Sequence, residues 1–169
     1  MHPSTELKRL LLREPRLTLA VAESLTCGHV QARIGEASGA SGYFLGGVTA
    51  YSLEQKVKLL GVERGAATPA NSVSREVAEQ MARGACTMFG SDLAVATTGY
   101  AEPSIEAGAE MPHAWWALHH KRRGRPVVLS GLVQFPGAGR TEMQAAVADT
   151  VLRELVQYLR EFRQKKTRR

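Results

Sequence analysis

The sequence predicts an α/β fold in which helices cover both sides of a mixed, mostly parallel five-stranded sheet. Three observations carry this expectation. Short, nearly continuous apolar runs such as LTLAVA and LAVATT suit strands buried on both faces. Longer segments with apolar residues at helical spacing alternate with those runs. Finally, the last two apolar runs are joined only by the turn KRRGRP, a link so short that the two strands must be antiparallel. The chain has 169 residues, one domain's worth, so residues 1–169 are read as a single unit. The basic tail at 164–169 is expected to fray.

In order along the chain, Thr5 to Leu12 reads as a short helix with Ser4 or Thr5 as N-cap and Leu7, Leu10 and Leu11 on one face. Leu17 to Ala22 is the first strand. A turn, Glu23 to Gly28, leads into a helix that ends near Ile34. Tyr43 to Tyr51 (YFLGGVTAY) is the second strand, and its glycine pair implies close approach of another group. Ser52 starts the next helix, with Gln55 three residues on as in a capping box, and Gly61 ends it. Ser74 caps a longer helix with Val77, Met81, Ala85 and Met88 on its apolar side, and Gly90 stops it. Leu93 to Thr98 is the third strand, followed by an irregular loop from Gly99 to Met111. Ala114 to His119 and Val127 to Phe135 form the hairpin. The last helix runs from about Thr141 to Phe162, with Met143, Val147, Val151, Leu155, Leu159 and Phe162 at helical spacing.

Composition narrows the function classes. The two cysteines, Cys27 and Cys86, form no disulfide framework and no zinc motif, which points to reduced thiols in the cytoplasm and to no metal site. The N-terminus mixes charge into its apolar residues, unlike a signal peptide, and no apolar run is long enough for a bilayer. The net charge of +6 sits partly in residues 165–169 and partly in Lys121, Arg122, Arg123 and Arg125. A solvated turn and terminus are the plainer reading. A nucleic-acid patch is the sharper one, and the lack of interleaved aromatics counts against it.

The candidate chemistry begins at Ser24, directly after a buried strand and before a helix. In open α/β sheets ligands bind at the carboxyl ends of strands, and a hydroxyl there can attack a carbonyl if a base activates it. None of the five histidines stands in a recognisable pairing with an acid. A lysine is the other option. Tyr51 closes the second strand, and Lys56 follows in the next helix. If the first two strands are neighbours, Ser24, Tyr51 and Lys56 reach the same sheet edge. Burial would favour the neutral amine that a base requires.

The strings LAVAESLTCG, SGASGYFLGGVTAYSLEQKVKLLGV and SVSREVAEQMARGA resemble the CinA C-terminal domain family. The likeness is densest from Leu19 to Gly99 and continues through FPGAGR (Phe135 to Arg140). It implies a three-layer α/β/α sandwich and a reaction in which nicotinamide mononucleotide loses its amide as ammonia. It places the nucleophile on Ser24 and its partners on Tyr51 and Lys56, with Tyr51 holding the lysine. A substrate-binding set follows: Glu23, Thr26, Gly28, Gly47, Thr98, Gly99 and Arg140. Backbone N–H groups around Thr26 and Gly28 are the expected oxyanion donors. The resemblance further implies no cofactor, a small nucleotide as substrate, and a homo-oligomer.

Two stretches depart from the family pattern. Cys27 replaces the first of two glycines; it is expected to crowd the oxyanion site, and its thiol is a rival nucleophile. After the third strand the chain reads TTGYAEPSIEAGAEMPHAWWAL, with Tyr100, Glu102, Met111, His113 and Trp115 in place of small, apolar or basic residues. A carboxylate there would repel a phosphate. On a strand, Trp115 and Trp116 must face opposite sides. A change of substrate, or binding without turnover, is the alternative that this loop raises.

Overall fold

The computed structural model describes residues 2–69 and 71–167. It contains α1 (Pro3–Leu12), β1 (Leu19–Glu23), α2 (His29–Gly35), β2 (Phe44–Thr49), α3 (Leu53–Leu60), α4 (Arg64–Ala67), α5 (Arg75–Phe89), β3 (Leu93–Tyr100), β4 (His113–His120), β5 (Val127–Gln134) and α6 (Arg140–Thr167), with a short 3-10 turn before β2. No helix among the described residues is long and apolar enough to cross a membrane.

The strand order is β2-β1-β3-β4-β5. The first two strands are parallel neighbours, as the sequence argument required, and β1 also pairs parallel with β3. Pairing then reverses: β3–β4 and β4–β5 are antiparallel over eight residue pairs each. The expected mostly parallel sheet is therefore corrected to one divided between parallel and antiparallel junctions. The antiparallel ones are the longer, because the β3–β4 connection is also a hairpin, closed by a bridge between Ser104 and Ala109.

The two faces of the sheet differ in bulk. Leu19, Val21, Leu93, Val95, Trp116 and Leu118 point to the side covered by α1, α2 and α6. Ala20, Ala22, Ala94, Ala96 and Ala117 point to the side covered by α5. The period-two alternation of large and small side chains thus seats α5 close to the sheet. Trp115 and Trp116 divide between these two cores as expected. At Gly84 an added Cβ would lie 2.0 Å from the Leu60 carbonyl oxygen, so α5 also touches the end of α3 backbone to backbone.

Several local expectations need revision. The first helix starts at Pro3, with His2 as N-cap, because proline suits the first helical position; neither Ser4 nor Thr5 caps it. Met88 is exposed, and Cys86 is buried in its stead. The last helix begins at Arg140 and runs to Thr167, so residues 164–167 of the basic tail belong to it; Arg168 and Arg169 lie outside the described residues. The last two residues of the candidate nucleic-acid patch at 165–169 therefore fall outside them as well. Ser52 and Ser74 do cap α3 and α5, accepting from the N–H of Gln55 and Val77.

Candidate active site

A cleft of about 410 Å³ opens at the carboxyl ends of β1 and β3, within the usual size range of small-molecule sites. Its floor is Ser24, in the turn after β1, and Lys56, from α3. Its walls are the start of α3, the segment Asn71–Val73, and the end of β3 with the loop that follows. Arg140, the first residue of α6, closes one side.

Parallel pairing of β1 with β2 carries both chains to the same edge. The Ala50 N–H donates to the Glu23 carbonyl, so the segment leaving β2 stays beside the one leaving β1. The turn at Ser52 then starts α3, and Lys56, one turn in, points back beneath Tyr51. Lys56 Nζ lies 3.0 Å from Ser24 Oγ and 3.0 Å from the Tyr51 carbonyl oxygen. Lys56 is only 2% exposed, and burial pushes its amine down to about 8. An amine tuned near neutrality and touching a hydroxyl can accept that hydroxyl's proton, which makes the serine a nucleophile.

Tyr51 joins this group differently from the expectation. Its carbonyl holds the amine, whereas its ring is 53% exposed and its hydroxyl accepts from Arg140 Nη2 at 2.7 Å. The side chain therefore belongs to the rim of the cleft. Arg140 Nη1 donates to Glu102 Oε1 at 2.5 Å, so Tyr51, Arg140 and Glu102 form one chain of contacts across the opening.

The expected substrate-binding set divides in three. Thr98, Gly99 and Arg140 line the cleft. At Gly99 a Cβ would lie 2.4 Å from the His113 carbonyl oxygen, so the glycine is needed for the tight β3–β4 pairing. Glu23, Thr26 and Gly28 are corrected to structural roles beneath the site. The fully buried Glu23 carboxylate accepts from the N–H groups of Gly28, Val30 and Gln31, tying the start of α2 to the end of β1. The Gly28 N–H is thereby occupied, which removes it from the oxyanion donors. The Thr26 hydroxyl is buried against that of Thr97 at 2.7 Å. Gly47 lies away from the cleft, where the Gln31 side chain covers it; a Cβ there would meet that side chain at 2.4 Å.

Cys27 is exposed and outside the lining, with φ 47, the left-handed backbone that glycine adopts most easily. It neither crowds the cleft nor reaches it, so the rival nucleophile is set aside. Sequence reasoning missed Asn71 and Ser72. Both have positive φ, the Ser72 carbonyl accepts from the Thr98 hydroxyl at 2.6 Å, and Asn71 Nδ2 donates to Tyr100 Oη at 2.7 Å. An Asn-Ser pair ahead of a helix cap marks a turn, but nothing local says that the turn faces a cleft. Gln144 was missed too: one turn into α6, it donates to the Leu25 carbonyl beside Ser24.

Comparison with known proteins agrees with this architecture. The family model described as "CinA C-terminal domain" matches residues 3–159. A CinA-like protein of Chlorobium limicola is 36% identical over 154 residues, covering 89% of this chain and 35% of that protein. One from Geobacter sulfurreducens is 48% identical over 93 residues, or 55% of this chain and 22% of that protein. The chain thus spans about a third or less of the length of these curated relatives. Among solved structures, a CinA superfamily protein from Klebsiella pneumoniae superposes with a TM-score of 0.85 at 24% identity, covering 94% of this chain and 96% of the other; at that identity the likeness speaks for the fold alone. The competence/damage inducible protein CihA from Agrobacterium tumefaciens gives 0.79 at 29% identity, covering 93% of this chain and 95% of the other.

Proposed function

Because this chain belongs to the CinA C-terminal domain family, we propose that it is a serine–lysine amidohydrolase that acts on a carboxamide, with nicotinamide mononucleotide as the substrate the family resemblance implies. One observation carries the reading: Lys56 Nζ stands 3.0 Å from Ser24 Oγ at the floor of an open cleft, and burial has lowered its affinity for a proton.

In this mechanism neutral Lys56 takes the Ser24 proton as Oγ attacks the carboxamide carbon. The carbonyl electrons move to oxygen, giving a tetrahedral oxyanion. The N–H groups of Leu25 and Thr26 donate to no acceptor among the described residues and are the candidate donors to that oxygen. Collapse breaks the C–N bond, and Lys56 returns its proton to the departing nitrogen, releasing ammonia and leaving an acyl ester on Ser24. Water, deprotonated by the same amine, then attacks the ester carbon, and cleavage of the C–Oγ bond restores Ser24 and frees the carboxylate. The Tyr51 carbonyl holds the amine on target throughout, a positioning contact that a peptide oxygen provides whatever side chain stands there.

The test is ammonia release from nicotinamide mononucleotide. Ser24→Ala should lower the rate at least about a thousandfold with an unchanged melting temperature. Equal turnover by both proteins would rule out Ser24. Tyr100 and Glu102, which line the cleft, favour a second reading in which the site binds a pyridine nucleotide or a related ligand without hydrolysing it, or hydrolyses a different amide. A thermal shift with nicotinamide mononucleotide and no ammonia would support binding alone.

A further inference from the structure

The rim of the cleft carries its own chemistry. Among the described residues three charged side chains line the cleft: Lys56, Glu102 and Arg140. Lys56 is committed to Ser24 at the floor, so among these described lining residues Arg140 is the cation left for a negative group at the far end of a ligand. Both terminal nitrogens of that guanidinium are already engaged, Nη1 by Glu102 Oε1 at 2.5 Å and Nη2 by the Tyr51 hydroxyl at 2.7 Å. Glu102 thus already pairs with the guanidinium that an incoming anion would seek.

We propose that Glu102 is a specificity-determining residue that competes with a ligand's phosphate for Arg140, so that this cleft gains little affinity from a phosphate. The proposal rests on the amidohydrolase reading only for the choice of ligands. Two electrostatic effects point the same way. A phosphate must share the guanidinium with the carboxylate or displace it, and in either case the carboxylate repels the phosphate across the rim. Neither effect touches a ligand whose far end is a neutral hydroxyl. Glu102 and Arg140 are both about half exposed, so the pair is screened and its effect on affinity is modest. The Ser104–Ala109 bridge ties off the loop only two residues beyond Glu102, which limits how far the carboxylate can retreat.

The experiment is calorimetric titration in the Ser24→Ala background, which isolates binding from turnover. The two ligands are nicotinamide mononucleotide and its phosphate-free riboside. Adding Glu102→Gln should tighten the nucleotide about fivefold and leave the riboside within about twofold. In an Arg140→Ala background the same change should tighten the nucleotide by less, because the competition has lost its object and only the direct repulsion is left to relieve. Equal tightening of both ligands overturns the proposal, as does an unchanged nucleotide affinity or no measurable nucleotide binding by the Glu102→Gln protein. Failure of the amidohydrolase reading would show separately, as an absence of ammonia from the wild-type protein while the binding pattern holds.

Discussion

The floor and the rim of the cleft are built on opposite physical terms. At the floor, Ser24 and Lys56 are buried and fixed by backbone: the β1–β2 pairing, the Glu23 carboxylate under α2 and the Tyr51 carbonyl. At the rim, Tyr51, Arg140 and Glu102 are exposed side chains linked to one another. Burial at the floor lowers the proton affinity of Lys56, at a cost in stability, which is what the proposed base requires. The rim works in water, where ion pairs are weak, so its residues can change without harming the fold. On the proposed reading, chemistry is set where water is excluded, and ligand preference where it is not.

Substitutions ordered by size of effect test this contrast. Lys56→Met should abolish ammonia release, by about a thousandfold or more, because Ser24 loses its base. It should not lower the melting temperature at pH 7, since a buried amine is exchanged for an apolar chain of similar length; a large drop would mean that Lys56 is mainly structural. In the wild type, a base held at about 8 makes kcat/KM climb with pH and level off above that value. The sign for stability follows from the same shift. Between about 8 and the ordinary 10.5 the unfolded chain binds the proton that the folded one has shed, so stability rises across that window and the penalty is fully present below it. A flat profile for both would contradict a buried amine.

Next comes Glu23→Gln. It replaces an acceptor of three backbone N–H groups by one that also brings donors, and should destabilise the protein by about 2 kcal/mol in denaturant titration. Activity should fall along with stability because the turn that carries Ser24 hangs from the same carboxylate. Tyr51→Phe is milder. It removes only the hydroxyl contact with Arg140 and leaves the carbonyl in place, so kcat should stay within about threefold; a loss of roughly a hundredfold would make the phenol a proton carrier after all. Smallest is Cys27→Gly, an exposed site outside the cleft, where activity should remain within about twofold and the left-handed backbone should relax slightly.

The same contrast explains what could be read in the sequence. Strand burial, helix caps at Ser52 and Ser74, and the Ser24/Lys56 pairing rest on local pattern or on a contiguous family string, and the structure brings them together. The role of Glu23 was misplaced because a carboxylate beside a nucleophile looks like a ligand contact until its acceptors are seen to be filled by α2. Gly47 was misplaced for a related reason: a glycine needed for close approach does not say whether a ligand or, as here, Gln31 makes the approach. The Tyr51 carbonyl could not be foreseen, since any residue there supplies it. The contacts of Glu102 and Asn71 span 38 and 29 residues of chain, distances over which spacing carries no information.

The length of α6 has a mechanical consequence. At about 1.5 Å per residue its 28 residues form a rod roughly 42 Å long. One end carries Arg140 over the opening and Gln144 against the Leu25 carbonyl, while Arg160 near the other end grips Glu6 of α1. One unbroken helix thus ties α1 at the distal face to the serine turn and to the rim of the cleft.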